Sequence, residues 1–165
     1  MALIVEDGSL VAGAMSYITV SEVRLYAAAR GKDLPEDETE LEQLIVRATD
    51  FVDSYGAFKG TKVAATQGLE WPRVGVWTAG HYLEDDYVPD KIKRAVCEAT
   101  ILAQEVDFFE PLLEPDIVSE TIGPLNTQYA TSSSNPWNGP EYPMIDKLLA
   151  PFLNAGDWSL TALRI

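Results

Sequence analysis

Residue types able to do chemistry are scarce in this chain. His81 is the single histidine and Cys97 the single cysteine among 165 residues. A zinc site needs several His, Cys or carboxylate ligands at close spacing, and His81 has no Cys or second His near it. A Ser-His-Asp arrangement stays open on residue types alone, but no nucleophile-elbow motif accompanies it. His81 stands between Gly80 and Tyr82 in a loop-like stretch, which suits a solvated or hydrogen-bonded imidazole. Cys97 falls inside a helical pattern and reads as a small core or interface residue. The stretch "GAFKGTKV", Gly56 to Val63, lacks the spacing of a phosphate-binding loop. Calcium loops of the helix–loop–helix type are absent, and no two carboxylates are set apart as acid and base. The expectation is a protein that is not an enzyme and holds no cofactor or metal.

The most conspicuous stretch is "QGLEWPR", Gln67 to Arg73. A residue before proline is pushed to extended geometry, so Trp71 projects from a stiff, non-helical segment. In extended chain Leu69 and Trp71 point to one side and Glu70 to the other. Leu69, Trp71 and Pro72 are therefore expected to anchor a loop to the core, with Arg73 seeking one of the many carboxylates. A stacking platform for single-stranded nucleic acid is the competing reading. It is opposed by charge: 12 basic against 26 acidic residues leave a formal −14, and such a chain repels nucleic acid at long range.

Length allows one ordinary domain with a real core. Apolar residues at 47% exclude wholesale disorder. No apolar run approaches the 18 residues of a membrane span. The start "MALIVEDGSL" has no basic region and is not expected to be a signal peptide. A lone cysteine makes no internal disulfide, which suits synthesis in a reducing compartment. The acidity is clustered: Glu36, Asp37, Glu38 and Glu40 belong to one run ending at Glu42, and Glu84, Asp85 and Asp86 form another. A helix N-terminus accounts for part of the first run.

Around these residues the patterns predict about four helices. Thr19 and Glu22 form a capping box for a short first helix with Val23, Tyr26 and Ala27 on one face, ended at Gly31. Leu41, Leu44, Ile45, Ala48, Val52 and Tyr55 make the stripe of a second, stopped at Gly56. Pro89 opens a third, striped by Ile92, Ala95, Val96, Ala99, Leu102, Ala103 and Val106, with small residues at 95, 99 and 103 for close helix approach. A last helix starts near Pro143 and carries Met144, Leu148 and Leu149, with Pro151 kinking or ending it. Residues 57–88 form a long loop held down by Phe58, Trp71, Trp77, Tyr82 and Tyr87. Alternation across Ile117–Ala130 predicts one β-hairpin turning at Gly123 and Pro124. Residues 131–141 read as a flexible connector, and 154–165 as an apolar docking tail carrying Trp158, Leu160, Leu163 and Ile165. The expected fold is mainly α: a small helical bundle with an aromatic-pinned loop and one protruding hairpin, a single domain over 1–153.

Several stretches together carry a resemblance: "MALIVEDG" (Met1–Gly8), "SYITV" (Ser16–Val20), "IVRATDFVD" (Ile45–Asp53), "FKG" (Phe58–Gly60), "LEWPR" (Leu69–Arg73), "VP" (Val88–Pro89), "SETIGPL" (Ser119–Leu125) and "YPMIDKLLAPFL" (Tyr142–Leu153). Over residues 1–153 their order resembles the tailed-bacteriophage head–tail adaptor proteins, also called head completion or connector proteins. Members of that group often carry a description likening them to a primosomal single-stranded-DNA-binding protein. The resemblance implies a structural virion protein, made in the host cytoplasm and placed at the portal vertex. It implies a homo-oligomeric ring, commonly of twelve copies, between the portal and a tail, stopper or nozzle protein. Ile122, Gly123, Pro124 and Leu125 of the hairpin, and Trp158, Leu160, Leu163 and Ile165 of the tail, would then form the oligomer and portal interface. DNA would pass without specific binding, with Glu36, Asp37, Glu38, Glu40, Glu84, Asp85 and Asp86 as candidates for the channel lining. The alternative is a single-stranded-DNA-binding replication accessory, whose binding weakens as salt rises.

Overall fold

The computed structural model describes residues 3–109, 119–122, 125–128 and 142–154. Helix α1 spans Val20–Ala28 and is opened by the expected capping box: the Glu22 backbone N–H donates to Thr19 Oγ1 at 3.2 Å, and the Thr19 N–H to Glu22 Oε2 at 2.7 Å. Helix α2 spans Glu38–Asp53 with Asp37 as N-cap, its side chain accepting from the Glu40 N–H at 2.9 Å. Glu38 and Glu40 stand in the first turn, at the positive end of the helix dipole. Helix α3 spans Asp90–Leu102. Pro89 is its N-cap, so the helix begins one residue later than expected. Helix α4 spans Pro143–Leu149 and runs into a 3-10 turn, Ala150–Phe152.

Helix α3 is the centre of the packing, with α2, α4 and α1 all laid against it. Ala95 and Ala99 are fully buried and Ala103 nearly so, letting partner helices come close. Ile45, Ala48 and Val52 of α2 meet Ile92 and Val96 of α3 in one apolar cluster that also takes Tyr17, Ile18, Val23 and Trp71. Of the apolar residues named for α4, Leu149 lies inward and Leu148 is half-buried. Ile145 and Leu149 are buried, whereas Met144 is 51% exposed. A four-residue step returns to the same helix face, and Met144 lies about 100° round from Ile145.

Three antiparallel pairs complete the described structure: β1 (Thr61–Lys62) with β2 (Arg73–Val74), β3 (Trp77–Thr78) with β4 (His81–Tyr82), and β5 (Ser119–Ile122) with β6 (Leu125–Gln128). The last is the hairpin expected from alternation, in the register Ser119↔Gln128 to Ile122↔Leu125. The first two correct the reading of 57–88 as one loop. Strands of two residues are too short for a two-residue period to show in sequence. Four helices stand as expected, but the fold is a mixed one of helices and short antiparallel pairs, not a mainly α bundle.

The N-terminal stretch is closed by a buried carboxylate. Glu6 accepts from the N–H groups of Gly8 (2.8 Å), Leu10 (3.0 Å) and Val11 (2.8 Å). Gly8 has φ +112°, and a Cβ there would strike the Asp86 carbonyl. The loop therefore lies directly on the second acidic run.

Candidate functional site

The segment 67–73 is a frame on which the rest is hung. Trp71 is fully buried and Leu69 is 9% exposed. The indole meets Phe58 edge-on at 5.9 Å and Phe152 at 5.5 Å. Its Nε1–H has no hydrogen-bond partner among the described residues. The Trp71–Pro72 peptide is cis, a feature the pre-proline preference for extended chain did not foretell. Gln67 Nε2 donates to the carbonyls of Leu69 and Pro72, both at 3.0 Å. Arg73 is buried and finds the expected carboxylate, Glu70 Oε2, at 2.7 Å. It also donates to the carbonyls of Lys59 (2.9 Å), Gly60 (2.9 Å), Glu70 (3.2 Å) and Phe58 (3.4 Å). A guanidinium fork suits such a ring of acceptors. Every polar contact here serves the fold, and a base has no face of Trp71 to stack on.

What this frame presents outward is a different ring pair. Trp77 and Tyr82 are directly opposite in the β3–β4 register, 51% and 71% exposed, with centroids 4.5 Å apart at 74°. Ala79 and Gly80 join the strands, both at positive φ (+50° and +84°). Two positive-φ residues in a two-residue loop match the right-handed twist of a hairpin. At Ala79 this conformation is strained, because the Cβ crowds the carbonyl. The hairpin is tied down at its turn and at its base. Thr78 Oγ1 and Lys59 Nζ both donate to the Pro151 carbonyl, at 3.2 and 2.8 Å, and the Leu83 N–H donates to the Val76 carbonyl at 3.0 Å. Tyr87, 39% exposed, follows on the way to α3. Two aromatic rings set edge-to-face on a braced, strained hairpin leave the rest of their π-surface open to a planar ligand.

The expectation that all five loop aromatics hold the loop down is therefore corrected. Phe58 and Trp71 do so; Trp77, Tyr82 and Tyr87 face out. A signal was present in "VWTAGHY": a two-residue Ala-Gly loop flanked at matched distance by two aromatics.

The remaining candidates fall apart on inspection. His81 is exposed beside Tyr82 on β4. Cys97 is 4% exposed, and burial, with the Glu22 carboxylate next, pushes its thiol up to about 12. Such a thiol is a poor nucleophile. Among the described residues no group of three His, Cys, Asp or Glu could hold a metal. An open cleft of about 760 Å³ lies between the N-terminal stretch and the starts of α1 and α2, lined by Leu3, Val5, Val20, Arg24, Glu38 and Glu42 among others. Arg24 there is committed to the carbonyls of Pro35 (3.0 Å) and Glu36 (3.1 Å), and the facing carboxylates suit no anion. Of the acidic runs, Asp37 caps α2, and Glu36, Glu38, Glu40, Glu84, Asp85 and Asp86 are exposed. Ile122 and Leu125 end the strands of the third pair. Gly123, Pro124, Trp158, Leu160, Leu163 and Ile165, the connector 131–141 and all but the first residue of the tail lie outside the described residues.

A family model described as "Putative DnaT-like ssDNA binding protein" matches residues 1–165. No curated protein and no solved structure matches the chain. The family match overturns the head–tail adaptor expectation. Its description concerns single-stranded DNA and carries nothing of a virion, a portal vertex, a ring or a tail. The portal and tail partners, the passage of DNA without binding and the acidic channel lining are withdrawn with it, and the alternative takes their place.

Proposed function

We propose, because the chain belongs to this DnaT-like family, that it is a non-enzymatic accessory protein that binds single-stranded DNA by stacking bases on Trp77 and Tyr82. The carrying observation is the exposed ring pair on the β3–β4 hairpin. Stacking on aromatic side chains is tolerant of sequence because every base has a π-face. Bases of a duplex are already stacked on each other, so the platform selects single strands. The family description and the exposed rings support the same reading from independent directions.

The formal charge of −14 sets the character of the binding. Long-range attraction to a polyanion is absent, so the encounter is slow and the complex short-range. The non-enzymatic part rests on the residues: the lone thiol is buried and protonated, and the lone imidazole sits on an exposed hairpin.

The test is an anisotropy titration of a labelled oligothymidylate at low salt. Wild type is expected to bind, and Trp77→Ala/Tyr82→Ala to lose at least tenfold in affinity, since stacking contributes about 1–3 kcal/mol per base. A double variant binding as tightly as wild type, or a wild type that binds no oligonucleotide, overturns the proposal.

A further inference from the structure

We infer that the first turns of α3 make the phosphate-backbone contact of this chain, with Lys91, Lys93 and Arg94 forming a cationic patch along which a single strand leaves the Trp77–Tyr82 platform. The inference deepens the proposed function and rests on it.

Cations are scarce here: of the eleven among the described residues six are committed, and Lys32 and Lys147 stand singly. Arg24, Arg30, Arg47, Lys59, Lys62 and Arg73 are each held by a carbonyl or a carboxylate. Lys91, Lys93 and Arg94 have no hydrogen bond or ion pair among the described residues. Lys91 and Arg94 are exposed and Lys93 is half-buried. Of the acids, Asp90 opens the same turn, Asp7 lies within electrostatic range of Lys93, and the exposed Glu84, Asp85 and Asp86 stand on the link between Tyr82 and the patch, so the strand must pass beside that run. Three free cations in four residues are thus concentrated in a chain whose formal charge is −14.

Their place in the helix is the second observation. The N-terminal turns of a helix carry its positive half-charge and disfavour Lys and Arg. Stability of α3 does not call for cations there; an external polyanion does. One strand can reach both the patch and the platform. Tyr82 and Lys91 are nine residues apart, a span of at most about 30 Å. Buried Val88 and Pro89 fix the link between them to the core, with Tyr87 partly exposed along it. Aromatic rings for bases beside cations for phosphates is the arrangement that single-strand binding uses.

The test compares wild type, Lys91→Gln/Lys93→Gln/Arg94→Gln and Trp77→Ala/Tyr82→Ala for oligothymidylate binding between 50 and 200 mM salt, with helix content checked by circular dichroism. Three phosphate contacts contribute a slope of about −2 in log affinity against log salt, or about a 20-fold loss over that range. The triple Gln variant is expected to lose that component of the slope, and the platform variant to weaken binding while keeping it. Lys91→Arg/Lys93→Arg keeps the charge and should keep the slope. A triple variant with the wild-type slope overturns the inference and leaves the platform standing. So does a triple variant that loses binding of polyglutamate yet keeps its oligonucleotide affinity, which would make the patch a protein-docking site. Absence of any wild-type binding overturns the proposed function, and this inference with it.

Discussion

Tyr17 Oη donates to Asp53 Oδ1 at 2.7 Å, joining the strand-like entry of the chain to the last residue of α2. The other carboxylate oxygen accepts from the Glu70 N–H at 2.9 Å, and the Trp71 N–H donates to Tyr17 Oη at 3.1 Å. Two side chains thus hold the whole 67–73 frame against the helices. Burial pushes the Asp53 carboxyl up to about 6, although its hydrogen bonds from Tyr17 and Glu70 pull the other way. Burial, followed by the Asp53 charge, raises the Tyr17 phenol well above its ordinary range.

A pH dependence follows from that carboxyl. Its folded pKa, about 6, lies above the ordinary 3.8, so the folded state holds a proton that the unfolded state gives up. The stabilisation is complete below about pH 4 and is lost as pH rises through about 6. The amplitude is on the order of 3 kcal/mol. Asp53→Asn is less stable at pH 4.5, having one oxygen for two donors, and its deficit narrows toward pH 7. Urea unfolding at both pH values checks this; a deficit that stays constant contradicts it.

Replacing Arg73 strands several carbonyls at once. Arg73→Ala leaves the Lys59 and Gly60 carbonyls without their shared donor, Phe58 with its bond from Asn154 Nδ2 at 3.3 Å, and Glu70 with one cation fewer. The expected loss is about 3–5 kcal/mol. Lys at this position restores a charge but not the fork and recovers only part. Equal stability of the Ala variant in denaturant would rule out the role described.

The two tryptophans of the central region should separate cleanly. Trp71→Ala empties a site between Phe58 and Phe152 and costs on the order of 4 kcal/mol. Trp77→Ala removes a ring that is half in solvent and costs within about 1 kcal/mol. Thermal unfolding distinguishes them, and the single-strand affinity is expected to respond in the opposite order.

Relief of strain at Ala79 is testable without touching either ring. Ala79→Gly accepts φ +50° at no steric cost and is expected to stabilise the fold by about 1 kcal/mol or less. Affinity for single strands should fall slightly, because glycine loosens the turn that sets the ring pair. A destabilised variant would mean the turn is not strained.

Cys97 should behave as a reporter of unfolding. With its thiol buried and pushed up to about 12, alkylation at pH 8 is expected to be slow in the native protein and fast in denaturant. Mass spectrometry of iodoacetamide adducts follows it; rapid native labelling would show that α3 is not packed as described.

Much of the helical frame was legible in the sequence. The capping box of Thr19 and Glu22, the stripe of α2 through Leu41, Ile45, Ala48 and Val52, and the small residues of α3 are local or periodic features, and local chemistry decides them. Even α4 was placed, with Leu149 among the residues named for it, but seven residues give too few turns for periodicity to single out Ile145 over Met144. The outward platform was not legible. Trp71 and Trp77 are six residues apart and look alike in sequence, yet one is enclosed, with Phe58 and Phe152 against its ring and Tyr17 on its N–H, and the other stands half in solvent against Tyr82. Which tryptophan is covered depends on residues 13 to 81 positions away along the chain. Composition and periodicity by themselves determined four helices, an acidic surface and a poverty of catalytic residues. The tertiary structure alone decided which aromatics face water and which cations are left unpaired, because burial and pairing are properties of neighbours in space.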